Sequence, residues 1–210
     1  MKTDILVTWI NPLYLTEKKI LHIKEKFQKN TPFPHYIFED FLLPEKAQEL
    51  RKSLITCSFT EKDADLFFMA ETEDLNTTTE PTISSFIQLL KSKELHEMIT
   101  TITGCKLGKT VDAAGSVYPF TGYLLPHDDQ LEGRAVAYVL NLSQNFTKKD
   151  GGALELFAAP KNQPTAVIKS YPPRWNSFVL FTVSPQSFHQ VTEVTTNNPR
   201  LSINGWLHHG

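Results

Sequence analysis

The chain of 210 residues has little cysteine, no long apolar run and no excess of charge of one sign. Its two cysteines, Cys57 and Cys105, exclude a disulfide-dense scaffold and point to a reducing compartment. No stretch approaches the roughly 18 apolar residues of a membrane-spanning helix. The run from Ile5 to Leu15 follows Asp4, is broken by Asn11 and Pro12, and precedes no small-residue cleavage site. It is therefore not expected to be a secretion signal, and Asn76-Thr77-Thr78, Asn141-Leu142-Ser143 and Asn145-Phe146-Thr147 are not expected to carry glycans. Lys and Arg number 21 against 23 Asp and Glu, a net charge of −2, so the electrostatic footprint of a nucleic-acid binder is missing. Neither a nucleic acid nor a membrane is expected as a partner. A basic protein or a small anionic ligand remains open. What the chain does have is 40% hydrophobic residues, 14 of its residues being Phe, which excludes disorder and collagen and supplies one sizeable core.

The pattern changes character along the chain. Leu13 to Lys29 reads as a helix with Lys-rich faces, and Thr31-Pro32-Phe33-Pro34 ends it. His35 to Phe38 reads as a short strand, and Pro44 opens a helix running to about Cys57 with Ala47, Leu50, Leu54 and Ile55 as its apolar stripe. Residues 58 to 80, acidic and Thr-rich from Ala70 onward, show no period and read as a surface loop, with a lid over a basic peptide as the functional alternative. Helices follow over Pro81 to Leu90 and Lys93 to Thr103, with Gly104 as C-cap. Eight strands are then predicted: Val111–Phe120, Tyr123–His127, Ala135–Leu142, Ala153–Phe157, Ala166–Ser170, Phe178–Val183, Phe188–Val194 and Leu201–Leu207. Helices followed by many short strands predict an α+β fold with a barrel or two-sheet jelly roll, and Ser177–Val183, apolar on both faces, as a central strand. His22, His35 and His96 are expected on the surface of the helical part, and His208 and His209 in a frayed terminus. The cysteines read as apolar fillers.

Alternation on the last strand puts Arg200, Ser202, Asn204 and Trp206 on one face and Leu201, Ile203, Gly205 and Leu207 on the other. The polar face is either solvated or the lining of a cavity. If it faces inward, the guanidinium needs an anion. In an extended segment His127 and Asp129 share a side and Asp128 points away. With a second His from a distant strand, for which His189 is the best candidate, they would make the two-His, one-carboxylate set of non-haem Fe(II) oxygenases. A lone His is usually structural and a His-x-Asp occurs by chance. The combination with a later His in an apolar strand and an Arg on the final one carries more.

The segment from Tyr118 to Arg134, which contains Pro126-His127-Asp128-Asp129, resembles the iron-site segment of the ribosomal prolyl hydroxylases. Asp150-Gly151-Gly152-Ala153-Leu154-Glu155-Leu156-Phe157, the stretch from Val183 to Val194 and the stretch from Arg200 to His208 resemble further segments of that family. These are 2-oxoglutarate-dependent oxygenases related to the collagen and hypoxia-factor prolyl hydroxylases, and the likeness covers roughly residues 33 to 209. It implies that His127, Asp129 and His189 bind Fe(II), that Arg200 pairs with the far carboxylate of 2-oxoglutarate, and that the Tyr118 hydroxyl helps to hold that cosubstrate. Ser202 would add a hydrogen bond to the same carboxylate and Trp206 would stand near the reaction chamber. O2 is the co-reactant, and ascorbate is allowed as a reductant. The implied fold is a double-stranded β-helix with N-terminal helices packed on one sheet, divided as a helical extension over residues 1–32 and an oxygenase domain over 33–210. The implied activity is hydroxylation of a prolyl residue in a small-subunit ribosomal protein, in the cytoplasm and also the nucleus if the source is eukaryotic. A related oxygenase acting on a translation factor, and a catalytically dead barrel that binds peptides, are the competing readings. The sequence departs from the family at two points. Asn141 stands where the better-known eukaryotic members have a tyrosine near the cosubstrate, and the match ends with the first barrel whereas those members carry a second, non-catalytic one.

Overall fold

A computed structural model of the chain describes residues 5–210. Asp4 and the three residues before it, at the start of the expected 1–32 extension, lie outside the described part. The helical portion begins with α1 (Ile5–Trp9) and α2 (Glu17–Lys29), whose first turn is capped by Thr16. The expected helix from Leu13 is thus a single 3-10 turn, Pro12–Tyr14, followed by α2. Next come β1 (His35–Phe38), α3 (Pro44–Leu54), β2 (Thr60–Ala64) and β3 (Phe67–Glu71). α4 (Pro81–Leu90) and α5 (Lys93–Thr103) follow, and Gly104 closes α5 in the left-handed region at φ +80°. The remaining strands are β4 (Leu107–Val111), β5 (Ala114–Tyr118), β6 (Tyr123–His127), β7 (Arg134–Asn141), β8 (Leu154–Phe157), β9 (Val167–Tyr171), β10 (Phe178–Thr182), β11 (His189–Val191) and β12 (Arg200–His209).

The strands pair antiparallel throughout, in the order β1-β10-β7-β12-β5-β3-β6-β11-β8-β9, with β4 on β12 and β2 on β3. β3 is the hinge of this order. Its second half pairs with β5 (Ala70 with Val117) and its first half with β6 (Phe67 with Leu124), so it joins the larger sheet to the smaller. The pairing curls into a double-stranded β-helix. Alternation along β7, β10 and β12 sorts the side chains of the larger sheet. Val136, Leu140, Phe178, Leu180, Leu201, Ile203 and Leu207 pack against Ile23, Phe27, Phe86 and Ile99 of the helices in the main core. Ala137, Val179 and Phe181 turn to the interior, where they meet Leu154 and Leu156 of β8. β10 is buried on both faces, as its apolar run predicts. No described helix is long and apolar enough to cross a membrane.

Four expectations need correction. Residues 58 to 80 are not one loop, because β2 and β3 form a hairpin inside them; the charged Thr-Glu-Lys-Asp-Ala of β2 is fully exposed and so shows no apolar alternation. Val111–Phe120 is two strands, since the chain turns at Asp112 and Ala113. His35 is buried, held between the Phe33 carbonyl (2.7 Å) and the Tyr171 hydroxyl (2.8 Å). β12 runs through His209, and His208 bonds the Asp112 carboxylate at 2.9 Å, so this end is paired rather than frayed.

The turn at Asp112 also explains Gly205. A Cβ there would lie 1.9 Å from the Asp112 carbonyl oxygen and 2.9 Å from the Tyr138 hydroxyl, which itself donates to that carbonyl at 2.8 Å. Backbone occupies the space that any side chain would need. Gly205→Ala is therefore expected to destabilise the fold by about 2–3 kcal/mol through overpacking, read as a melting point lower by roughly 5–10 °C in a thermal scan.

Candidate active site

The pairing of β6 with β11 places His127 directly opposite His189. Cross-strand partners stand side by side on one face of a sheet, and the two imidazole centroids are 4.2 Å apart. Asp129 lies just past the end of β6 with φ +62°, so it has left the strand. The expected sharing of a side by His127 and Asp129 is met, but through a left-handed turn rather than through alternation. The Asp129 carboxylate reaches both rings, 3.3 Å from His127 Nε2 and 3.4 Å from His189 Nε2. Asp128 turns away and accepts from the Gln130 amide at 3.0 Å. The Ser187 hydroxyl is 2.9 Å from the Asp128 carbonyl and ties the two segments together.

Each imidazole is oriented by its other nitrogen. His127 Nδ1 lies 2.9 Å from the Leu125 carbonyl and His189 Nδ1 2.8 Å from the Ser187 carbonyl. A carbonyl only accepts, so both Nδ1 atoms carry a hydrogen, and in the neutral rings both Nε2 lone pairs point to the shared space beside Asp129. The three donor atoms lie within 4.8 Å of one another. Two neutral imidazoles and a carboxylate with converging lone pairs fit the donor set of non-haem Fe(II).

Electrostatics fixes who holds the proton in the metal-free site. Burial works against the Asp129 charge, but the neighbouring His189 and the hydrogen bond from His127 outweigh it and hold the carboxyl well below the usual range. Burial also disfavours charge on His127, yet the hydrogen bond and charge of Asp129 raise its pKa. His189 is lowered to about 4 by burial first and by His127 second.

The same cavity, of about 290 Å3, is lined by Tyr118, Arg200, Ser202 and Trp206 as well as by the three metal-type donors. Register again explains the grouping, since Arg200 pairs with Tyr118 and Ser202 with Asn141. Arg200 is only 2% exposed. Its guanidinium lies 4.9 Å from the Tyr118 ring centroid and its Nη2 is 3.4 Å from Asn141 Oδ1, while its Nε has no hydrogen-bond partner. No carboxylate among the described residues forms an ion pair with it. Burying an unpaired guanidinium costs several kcal/mol, so the cavity is built for an anion, and a dicarboxylic 2-oxo acid fits that need. Asn141 does not line this cavity; its amide donates to the Ser177 hydroxyl at 3.0 Å.

Residues that the sequence reading missed complete the mouth. Phe67, Met69 and Glu71 of β3 and Lys62 of β2 line the cavity, with Lys62 and Glu71 forming an ion pair. Phe67, Met69 and Glu71 alternate along β3, which was the available signal. Arg134 stacks its guanidinium 3.3 Å from the Trp206 ring centroid.

Comparison with known proteins agrees with this geometry. The family described as 2OG-Fe(II) oxygenase superfamily matches residues 113–208. A Xenopus laevis protein named prolyl 3-hydroxylase OGFOD1 is 40% identical over 182 residues, 85% of this chain and 35% of that protein. The Drosophila melanogaster prolyl 3-hydroxylase sudestada1 is 33% identical over 217 residues, 97% of this chain and 40% of that protein. The chain thus spans between about a third and two fifths of these relatives' length. Among solved structures, a Pseudomonas putida prolyl-4-hydroxylase superposes with a TM-score of 0.70 at 17% identity, covering 90% of this chain and 99% of that one. A Trichoplax adhaerens prolyl hydroxylase, solved with a hypoxia-inducible-factor peptide fragment, gives a TM-score of 0.70 at 15% identity over 92% of this chain and 94% of that one.

The pKa shifts predict a stability optimum for the metal-free protein near pH 6.5, the ordinary value for histidine. As pH falls from there toward 4, the unfolded chain takes up a proton that His189 in the fold refuses, so stability drops by about 1.4 kcal/mol per pH unit for one proton. His35, lowered chiefly by burial, acts in the same direction. As pH rises past the elevated pKa of His127, the stability that its proton provides is lost. Urea unfolding across pH in the presence of a chelator checks this. His189→Gln is expected to flatten the acid arm, and an unchanged acid arm would rule the assignment out.

Proposed function

We propose that the chain is a member of the 2OG-Fe(II) oxygenase superfamily, whose model matches residues 113–208, and that it hydroxylates a prolyl residue of a protein, with His127, Asp129 and His189 as its iron ligands. The observation that carries this reading is one cavity holding both a converging His/Asp/His set and a buried, unpaired Arg200. The names of the relatives and the protein peptide bound to the Trichoplax enzyme support a prolyl substrate in a protein. The resemblance of residues 118–208 to the ribosomal prolyl hydroxylases favours a small-subunit ribosomal protein as the target and a cytoplasmic place of work.

When bound, Fe(II) and 2-oxoglutarate supply the oxidising power: with O2, the cosubstrate becomes succinate and CO2 and a substrate C–H bond becomes C–OH. The chain's own residues do the positioning. The Leu125 and Ser187 carbonyls hold both imidazoles in the ligating tautomer, and the Asp129 charge offsets that of a divalent cation. Arg200 takes the far carboxylate of the 2-oxo acid, which satisfies the guanidinium, while the Tyr118 hydroxyl and Ser202 supplement it. The apolar side chains Leu124, Val139, Leu154 and Val191 line the cavity and keep water from the reacting atoms. Trp206, fixed under Arg134, walls the chamber where the prolyl ring would enter. A dead peptide-binding barrel would have no use for this donor set beside an unpaired cation.

Two variants test the roles. His127→Ala is expected to abolish succinate formation and to lose Mn(II) binding, measured by titration of the purified protein. Arg200→Ala removes a charge-assisted contact of about 1.5–3 kcal/mol, which raises the 2-oxoglutarate concentration required for turnover by roughly 10–100-fold. The reading as a whole is tested by incubating the protein with Fe(II), 2-oxoglutarate and a proline-containing ribosomal-protein fragment. Stimulated succinate formation with a one-oxygen mass gain on proline is the expected result. Succinate without peptide modification would discard the ribosomal target, and absence of both succinate formation and 2-oxoglutarate binding would discard the oxygenase.

A further inference from the structure

Arg200 is reached from two cavities. One holds the His/Asp/His set. The other, also about 290 Å3, is lined by Ile37, Glu39, Asn141, Tyr171, Ser177 and Val179, and the two have only Arg200 and Leu154 in common. A buried guanidinium that serves a single ligand needs no such space beside it, since interiors are close-packed. The second cavity is also furnished with polar groups. The Asn141 amide reaches the Ser177 hydroxyl at 3.0 Å and faces Arg200 with its carbonyl oxygen. His35 Nδ1 gives its hydrogen to the Phe33 carbonyl, so its Nε2 accepts from the Tyr171 hydroxyl, which fixes that ring as a wall of the cavity. The charge of Glu39 is offset by Arg174 at 2.5 Å.

We propose that the cosubstrate site is open past Arg200, and that the chain binds 2-oxo dicarboxylic acids longer than 2-oxoglutarate, with 2-oxoadipate as the first of them. The 2-oxo acid head keeps the same place. The longer acid's terminal carboxylate meets Arg200 and accepts the Asn141 Nδ2 hydrogen that Ser177 leaves free, and its extra methylene is accommodated because Asn141 is short and the space behind it is unfilled. The inference rests on the cosubstrate reading given above.

The test is calorimetric titration of the Mn(II)-loaded protein with 2-oxoglutarate and with 2-oxoadipate, which reads binding without turnover. 2-Oxoadipate is expected to bind within tenfold of 2-oxoglutarate. Ile37→Phe fills the second cavity from β1 and does not touch the first. It is expected to weaken 2-oxoadipate at least tenfold and 2-oxoglutarate less than threefold. Val179→Leu fills the same space from β10 by one methylene and should act in the same direction, which keeps the test open if the Phe variant does not fold. A parent protein that binds 2-oxoadipate more than tenfold weaker than 2-oxoglutarate overturns the proposal alone. So does equal weakening of both acids in the filled variants. Failure of 2-oxoglutarate itself to bind overturns the cosubstrate reading and this inference with it.

Discussion

A slip of one residue in the pairing of β11 with β6 would turn His189 out of the interior and leave His127 facing a neighbour of the wrong kind, because side chains alternate strictly along a strand. The same holds for β12, where the pairings of Arg200 with Tyr118 and of Ser202 with Asn141 put the anion-binding end together. The candidate site is therefore a consequence of strand register. Register in turn is held by the outward residues of the same strands. Leu201, Ile203 and Leu207 can only bury their side chains against the helices if Arg200, Ser202 and Trp206 face inward. The apolar core and the polar site are two faces of one alternation, and the helices of the N-terminal half stabilise the site without touching it.

That arrangement carries a cost which the rest of the fold offsets. Arg200 is buried without a carboxylate, and His189 is buried next to a second imidazole that competes with it for charge. Burying the Arg200 charge opposes folding by an amount comparable with a sizeable share of the 5–15 kcal/mol by which proteins of this kind are stable, whereas burying His189 opposes it only as pH falls below about 6.5. A metal taken by the His189 lone pair beside Asp129 and an anion taken by Arg200 would each use a group that burial has left without a partner. Binding of the two is then coupled to stability through the same residues, which follows from linkage and requires no movement of the backbone.

Much of this was legible in the chain because the relevant signals are periodic. The alternation over Arg200–Leu207 correctly separates the cavity face from the core face, and the apolar run at Phe178–Thr182 identifies a strand buried on both sides. His127-Asp128-Asp129 was readable as a shared side, although the left-handed turn at Asp129 that achieves it was not. The β2–β3 hairpin escaped because β2 is exposed on both faces, so that no apolar period marks it. His35 and His208 escaped for a different reason. Their partners, Tyr171 and Asp112, are 136 and 96 residues away in sequence, and nothing local distinguishes a histidine that will meet such a partner from one left in solvent.

The hairpin that was hardest to read is also the piece on which the cavity's shape depends. β3 gives one half of its edge to β5 in the larger sheet and the other half to β6 in the smaller. It thereby sets how far apart the sheets stand at the place where His127 and Tyr118 must face one space. Its inward side chains, Phe67, Met69 and Glu71, form the wall of that space, and the exposed charges of β2 keep the hairpin's outer edge from pairing with another chain. One strand thus joins the two halves of the curled sheet, walls the site and presents the Lys62–Glu71 pair at its mouth.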